Sequence, residues 1–383
     1  MEEPRIATAG EFGELMDFVD LVFRPGQVGK RIVQRQYPHL YRGEKKYINR
    51  HLVVRDKGAI IGQLAIHPVQ MRLEGGLLLR AGGIGTVATH PERRGEGIMG
   101  RLLQVATRIM GERAYDFSIL GGDRQRYGWF GWENAGTKVV FALSKRSVGN
   151  PSAADRCIEL TRNPPMSSAL CRRIKMESDR RQVGAVRAVS EIEPLFRRTS
   201  RDLWVVRAGR RFAYLVLGGA QHQARPYQRV DEAGGDSELL HSALRLLMTR
   251  YKLDSLRAIA APDPLDAQVY EPISSEWNAM ADMMLNALNS QHLLGKLEPL
   301  LRQRAHAFGM GGAFSFMGPN GKEWGRLNLA GKHRYELALD ERDWVRLCFG
   351  HMPLGHMWQS SVEMDLLARI LPLKLFLPPL NHI

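Results

Sequence analysis

Two arginines and two glycines fall together at Arg93-Arg94-Gly95-Glu96-Gly97. These types at this spacing suit a bound anion. Gly95 and Gly97 would let backbone amides approach a ligand with no Cβ in the way. A helix opening at Ile98 would add unpaired N–H groups, which can point at phosphate. Arg93 or Arg94 could add charge-assisted contacts. The other reading is a glycine-rich turn with exposed arginines, and the pattern alone leaves the two open. The spacing is not the dinucleotide fingerprint, and no lysine-serine or lysine-threonine pair marks a nucleotide loop. A metal mechanism is not suggested: His351 and His356 stand five apart on an ambiguous segment, without a paired acid.

The elements that must hold this turn are readable on both sides of it. Residues 85–89 are rich in β-branched types and read as a strand, which Pro91 ends. Apolar residues at 98, 99, 102, 103, 106, 109 and 110 form a helical stripe. Residues 117–120 read as the strand after this crossover helix, and Gly121-Gly122-Asp123 breaks it. Phe130 and Trp132 read as core closure, and 138–143 as another strand. Upstream, Thr8 and Glu11 form a capping box, followed by a helix that ends before Pro25. The basic, aromatic stretch Arg31, Arg35, Tyr37, Tyr41 and Tyr47 comes next. Residues 51–54 and 59–66 read as a hairpin around Asp56-Lys57-Gly58, and 69–73 and 77–80 flank a second turn. A helix, an antiparallel meander and a strand-helix-strand crossover make a mixed sheet with helices.

The segment Arg94-Gly95-Glu96-Gly97-Ile98-Met99 resembles the coenzyme A motif of the Gcn5-related N-acetyltransferases (GNAT). That motif is an arginine, two variable residues, a glycine, a variable residue, then glycine or alanine. Met99 departs from the small last residue, and Gly100 follows it. The branch called the enhanced intracellular survival type tolerates this departure. Tyr127-Gly128-Trp129-Phe130-Gly131-Trp132 is similar to that branch's tyrosine, glycine, arginine, phenylalanine, glycine, aromatic segment, with Trp129 in the arginine's place. The resemblance implies acetyl-CoA as cosubstrate and transfer to a primary amine of a small molecule or a lysine side chain. Arg93, Arg94, Gly95, Gly97, Ile98, Met99 and Gly100 would hold the pyrophosphate, and the backbone of Val87 and Thr89 would align the pantetheine arm. Tyr127 would protonate the departing sulfur, and the terminal carboxylate of Ile383 would act as base. His382 is the alternative base, since imidazole titrates near neutrality. The stretch after the first helix would line the acceptor side, and the branch often forms hexamers.

The chain has 383 residues, which sets an expectation of two or three domains. Element order divides it into 1–146, a first GNAT domain with the cofactor turn; 152–285, a second GNAT-like domain; and 286–383. The second span repeats hairpin, strand, helix and strand at 203–217, 228–232, 239–251 and 256–260. An acidic stretch, 231–236, stands where the arginine-glycine turn would be, and it is a poor phosphate cradle. The last span reads as a small α+β domain, which the resembled branch implies is sterol-carrier-like. The fold class expected is therefore α+β. The apolar tail 371–383 should be tucked against the body. A net charge of +14 favours anionic partners. With no finger, ribonucleoprotein signature or basic tail, nucleic acid gains little support. A non-catalytic binder of a polyanion or acidic partner is the alternative function. No leader or long apolar run is present, so a cytoplasmic, non-membrane protein is expected, with Cys157, Cys171 and Cys348 reduced.

Overall fold

The structure is a computed structural model that describes residues 1–199, 201–219, 227–329, 331–356, 358 and 361–382. Its first sheet runs, in spatial order, Arg5–Ile6, His51–Asp56, Ala59–Arg72, Leu78–Thr89, Phe117–Leu120, Met283–Asn286 and Glu133–Ala135, with Gly184–Val186 pairing on the side of Ala59–Arg72. The expected hairpin turns on Lys57 and Gly58, both at positive φ, which matches the twist of the strands it joins. The capping box is present: the Glu11 carboxylate accepts from the Thr8 backbone at 2.8 Å.

One strand is longer than its sequence pattern. Ala59–Arg72 continues through Pro68, where two separate strands were expected. His51–Asp56 pairs with it only up to Ala65, and Gly184–Val186 begins opposite Gln70. Pro68 falls in the gap between them, where one strand edge is open. A strand tolerates a residue without an N–H at such a place.

The second sheet orders Glu276–Met280, Lys138–Ser144, Ser255–Ala260, Arg229–Gly235, Arg211–Gly218, Arg201–Ala208 and Glu159–Arg162. Each sheet contains one parallel pair joined through a helix, Ile98–Glu112 in the first and Ser237–Arg250 in the second. Two strands cross the spans expected from element order. Lys138–Ser144 lies in the second sheet, and Met283–Asn286 is inserted into the first. A strand's partner depends on contacts distant in sequence, so local pattern did not reveal either exchange.

The C-terminal body has a three-stranded sheet, Glu323–Asn328, Ala313–Met317 and Arg334–Ala338, with helices Ser290–Ala307 and Glu341–Phe349. It shares one core with the first sheet, where Phe117 and Phe349 meet at 5.9 Å between ring centroids. The tail is tucked in as its composition required: Leu371, Leu373, Leu375, Phe376, Leu377 and Leu380 are all buried. Among the described residues, no helix is long and apolar enough to cross a membrane.

Candidate active site

The site is built on Leu78–Thr89, the central strand of the first sheet. It pairs in parallel with Phe117–Leu120 only at Ala81, Gly82 and Gly83. Beyond Gly83 the two strands part, and the edge carrying Val87 and Thr89 has no ladder partner on that side. Opposite it, the pairing with Ala59–Arg72 shifts register between Gln63 and Ala65. Thr86 sits at φ 45° in this irregularity, an uncommon conformation for a β-branched residue. The Gln63 amide donates to the Thr86 carbonyl, and the Tyr41 hydroxyl lies 3.3 Å from Thr86 Oγ1.

The arginine-glycine turn follows. Gly95 and Gly97 take φ of 85° and 74°, and a Cβ at either would meet nothing within 4 Å. The conformation needs glycine, and the space beside it is open to a ligand. Gly97 is also the N-cap of Ile98–Glu112, and no side chain caps that helix. Its first N–H groups therefore stay available, at the end where the helix dipole is positive.

The two arginines differ. Arg93 is bound on both sides, to Glu96 at 2.6 Å and to Asp56 at 2.8 Å. It ties the turn to the neighbouring hairpin. Arg94 is exposed and has no hydrogen-bond or ion-pair partner among the described residues, so it is the arginine free to meet a phosphate. Asp56 reads from sequence only as a turn residue, and nothing local signals its tether. Ile98 is buried and Met99 packs against the same cluster. Gly100 faces the Phe130 ring, with a Cβ position 3.3 Å from it. Its small size therefore serves the contact between helix and tyrosine segment.

Tyr127 ends the helix Arg124–Tyr127, whose start is capped by the Asp123 carboxylate at 2.7 Å from Gln125 N. The ring is buried with Ile98, Leu120 and Trp132. It lies so close over Gly122 that a Cβ there would stand 2.4 Å from Tyr127 Cε2. Burial raises its pKa, with Arg126 opposing, so the phenol keeps its proton. The segment is anchored further by Glu133, whose buried carboxylate accepts from Arg124, Arg342 and Arg346 at 2.7 to 2.8 Å. Burial works against its ionisation, but these partners hold its pKa down at about 2. Trp129 is 88% exposed, whereas Trp132 is fully buried and Phe130 half-buried. The latter two close the core as expected.

The C-terminal tail threads between the domains and reaches this site. Arg198 donates to the Leu380 carbonyl at 2.6 Å, and Arg187 to Asn381 Oδ1 at 2.9 Å. The Leu377 N–H donates to Asp282 at 2.6 Å. His382 Nε2 lies 3.1 Å from the Leu377 carbonyl, which makes that nitrogen the N–H donor. Burial lowers the His382 pKa to about 4, which weakens it as a base near neutral pH. With Ile119, Leu120, Gly121 and Asp282, His382 lines a small cavity of about 70 Å³ at the end of the parting strand. Asn381 lines a larger one of about 720 Å³ on the other face, between the domains. Ile383 lies outside the described residues.

The second sheet repeats the parting of parallel strands, with pairing only at Arg229 and Val230. Its features differ from the first. Asp236 caps Ser237–Arg250 through Leu239 N at 3.1 Å, closing the helix start that Gly97 leaves open. Arg181 and Asp266 fill the space beside the strand with a buried ion pair at 2.7 Å. Among the described residues, no three His, Cys, Asp or Glu side chains converge to hold a metal.

Comparison with known proteins agrees with this geometry. Residues 3–135 match the acetyltransferase (GNAT) domain family. Comparison with curated proteins finds no match. The chain is similar to a probable N-acyltransferase from Enterococcus faecalis V583, at TM-score 0.70 and 16% identity over 99% of each chain. It is similar to a GCN5-related N-acetyltransferase from Anabaena variabilis, at TM-score 0.69 and 16% identity over the whole of both chains. Eis1 from Mycobacterium abscessus aligns at TM-score 0.65 and 12% identity, over 98% of this chain and 99% of its own. An open helix start beside parting strands, a matched domain and a shared fold lead to one assignment: residues 3–135 form an acetyltransferase (GNAT) domain, and the chain as a whole shares the fold of Eis1 and of the two other solved proteins.

Proposed function

We propose that the protein transfers an acetyl group from acetyl-coenzyme A to a primary amine, on a small molecule or a lysine side chain. The observation that carries this reading is the uncapped helix start at Gly97, beside the unpaired edge of the central strand. Phosphates would be held by the free N–H groups, with Arg94 adding charge. The backbone of Val87 and Thr89 would pair with the pantetheine amides.

The chemistry then needs three proton movements: two off the nitrogen and one onto the sulfur. An ammonium must lose a proton before its nitrogen can attack the thioester carbonyl. The terminal carboxylate of Ile383 is the base we assign, since Asn381 and His382 already lie at the two cavities. As the new C–N bond forms and the C–S bond breaks, Tyr127 gives its phenolic proton to the sulfur. The nitrogen, cationic once the C–N bond has formed, gives its second proton to solvent and the phenolate recovers one from solvent, so the products are an amide, coenzyme A thiol and the proton removed by the base.

The direct test is calorimetry of coenzyme A on the full chain, followed by free-thiol release from acetyl-CoA over a panel of amines. Binding that weakens in Arg94→Ala, together with amine-dependent thiol release, is expected. Polyanion binding at moderate salt without coenzyme A binding would instead favour the non-catalytic reading.

A further inference from the structure

The cavity of about 720 Å³ between the domains has a marked charge pattern. Arg42, Lys46 and Arg50 surround one aromatic ring, with their charged atoms 5.0, 5.1 and 4.4 Å from the Tyr47 centroid. None of the three has a carboxylate partner among the described residues. Arg80 also lines the cavity and is satisfied by the Arg113 carbonyl at 2.9 Å, not by an acid. Among the described residues, Glu191 is the one carboxylate in the lining, and it accepts from Ala188 N at 2.7 Å, engaged in capping its helix. Arg187 is neutralised by Glu232 at 2.7 Å.

His67 adds an independent observation. It lines the same cavity, is 1% exposed, and neither ring nitrogen has a hydrogen-bond partner among the described residues. Burial, with His51 and Arg50 adding to it, keeps the ring uncharged. It therefore offers one donor and one acceptor to whatever enters. Its ring is 5.5 Å from that of Tyr41, whose hydroxyl reaches Thr86 on the central strand. The cavity is thus joined to the proposed cofactor strand.

Gathered like charges repel and attract a counter-charge. A neutral or polycationic acceptor would leave these cations unpaired or would add to their number. We infer that the acceptor is an amine that also carries an anionic group, a carboxylate or a phosphate, bound by Arg42, Arg50 and Lys46. This rests on the acetyl-transfer reading above. The anionic group lies toward Tyr47, and the amine toward Asn381 at the other side of the cavity lining. The arrangement gives the anionic group an opposite partner and rejects polycations by repulsion.

The test uses the full chain, acetyl-CoA and matched amines: glucosamine against glucosamine 6-phosphate, tyramine against tyrosine, and spermidine. The anion-bearing member of at least one pair should have the higher kcat/KM, by roughly 10- to 100-fold, the worth of one hydrogen bond to a charged group. Whichever pair responds identifies phosphate or carboxylate. Arg42→Gln and Arg50→Gln should raise KM for that substrate, Arg50→Lys should restore much of it, and Arg302→Gln, at an exposed position away from the cavity, should change nothing. Calorimetry of the same amines gives the preference without turnover. Equal efficiency within both pairs, or preference for spermidine, overturns the inference while leaving acetyl transfer intact. Failure of coenzyme A itself to bind removes the acetyl-transfer reading and this one with it.

Discussion

Asp282 offers a test of how the tail is held. Its side chain is fully buried, with one oxygen accepting from Leu377 N at 2.6 Å and the other left without a hydrogen-bond partner, 3.8 Å from His382 Nε2. Burial pushes its pKa from 3.8 up to about 7, with the Leu377 amide and Lys138 opposing. Well below pH 3.8 the carboxyl is protonated in both folded and unfolded states and contributes nothing to pH dependence. As pH rises, the unfolded chain ionises first, so stability falls by about 1.4 kcal/mol per unit until the folded group ionises near pH 7. Above that the cost levels off at about 4 kcal/mol, an upper value for a shift of this size. Asp282→Asn keeps an acceptor for Leu377 N and cannot ionise. The variant should therefore gain on wild type between pH 4 and pH 8, whatever fixed offset the substitution brings. At about 2–4 °C per kcal/mol, the gap in thermal midpoint should widen by roughly 10 °C. Midpoints measured for both proteins at four pH values from 4 to 8 decide the matter. Parallel curves would refute the reasoning, because they would mean that Asp282 ionises in the fold as it does in water.

Other expectations concern turnover. Tyr127→Phe should lower kcat by about 100-fold, the low end for a lost general acid, while calorimetry finds coenzyme A affinity unchanged. Unchanged kcat would remove Tyr127 from the chemistry. Arg94→Ala should weaken coenzyme A binding by roughly 10-fold and leave the thermal midpoint in place. Arg93→Ala should instead lower the midpoint, because it cuts the tie to Asp56. Adding residues after Ile383 should lower kcat by displacing the terminal carboxylate, and a wild-type rate would exclude that group as base.

Much of the architecture was written in local pattern. The stripe from Ile98 to Met110 gave the crossover helix, and the alternation around Lys57-Gly58 gave the hairpin. The Arg94–Gly97 turn marked the helix start whose openness now carries the functional reading. What local pattern could not carry was pairing between distant segments. Lys138–Ser144 has the composition of any buried strand, and nothing in it selects the second sheet. Residues 59–66 and 69–73 read as two strands, because nothing local says that the strand edge at Pro68 is open. The charged cavity was out of reach for the same reason. Arg42 and Arg50 share one stretch, but Arg80 and Glu191 come from elsewhere in the chain, and only folding brings them to the same cavity. The basic run near Tyr47 and the +14 charge hinted at an anion without locating it.

The inserted strand Met283–Asn286 has a consequence for synthesis. It fills the place between Phe117–Leu120 and Glu133–Ala135 and is paired with both. Until residue 286 has left the ribosome, those two strands each present an unsatisfied edge, of the kind that invites wrong partners. The first sheet, which carries the proposed acyl-transfer site, is thus completed only after the second sheet has been translated. A fragment ending before Met283 would carry the whole arginine-glycine turn and Tyr127, yet it would lack the strand that closes their sheet. The middle of the chain acts as a timer on the completion of its beginning.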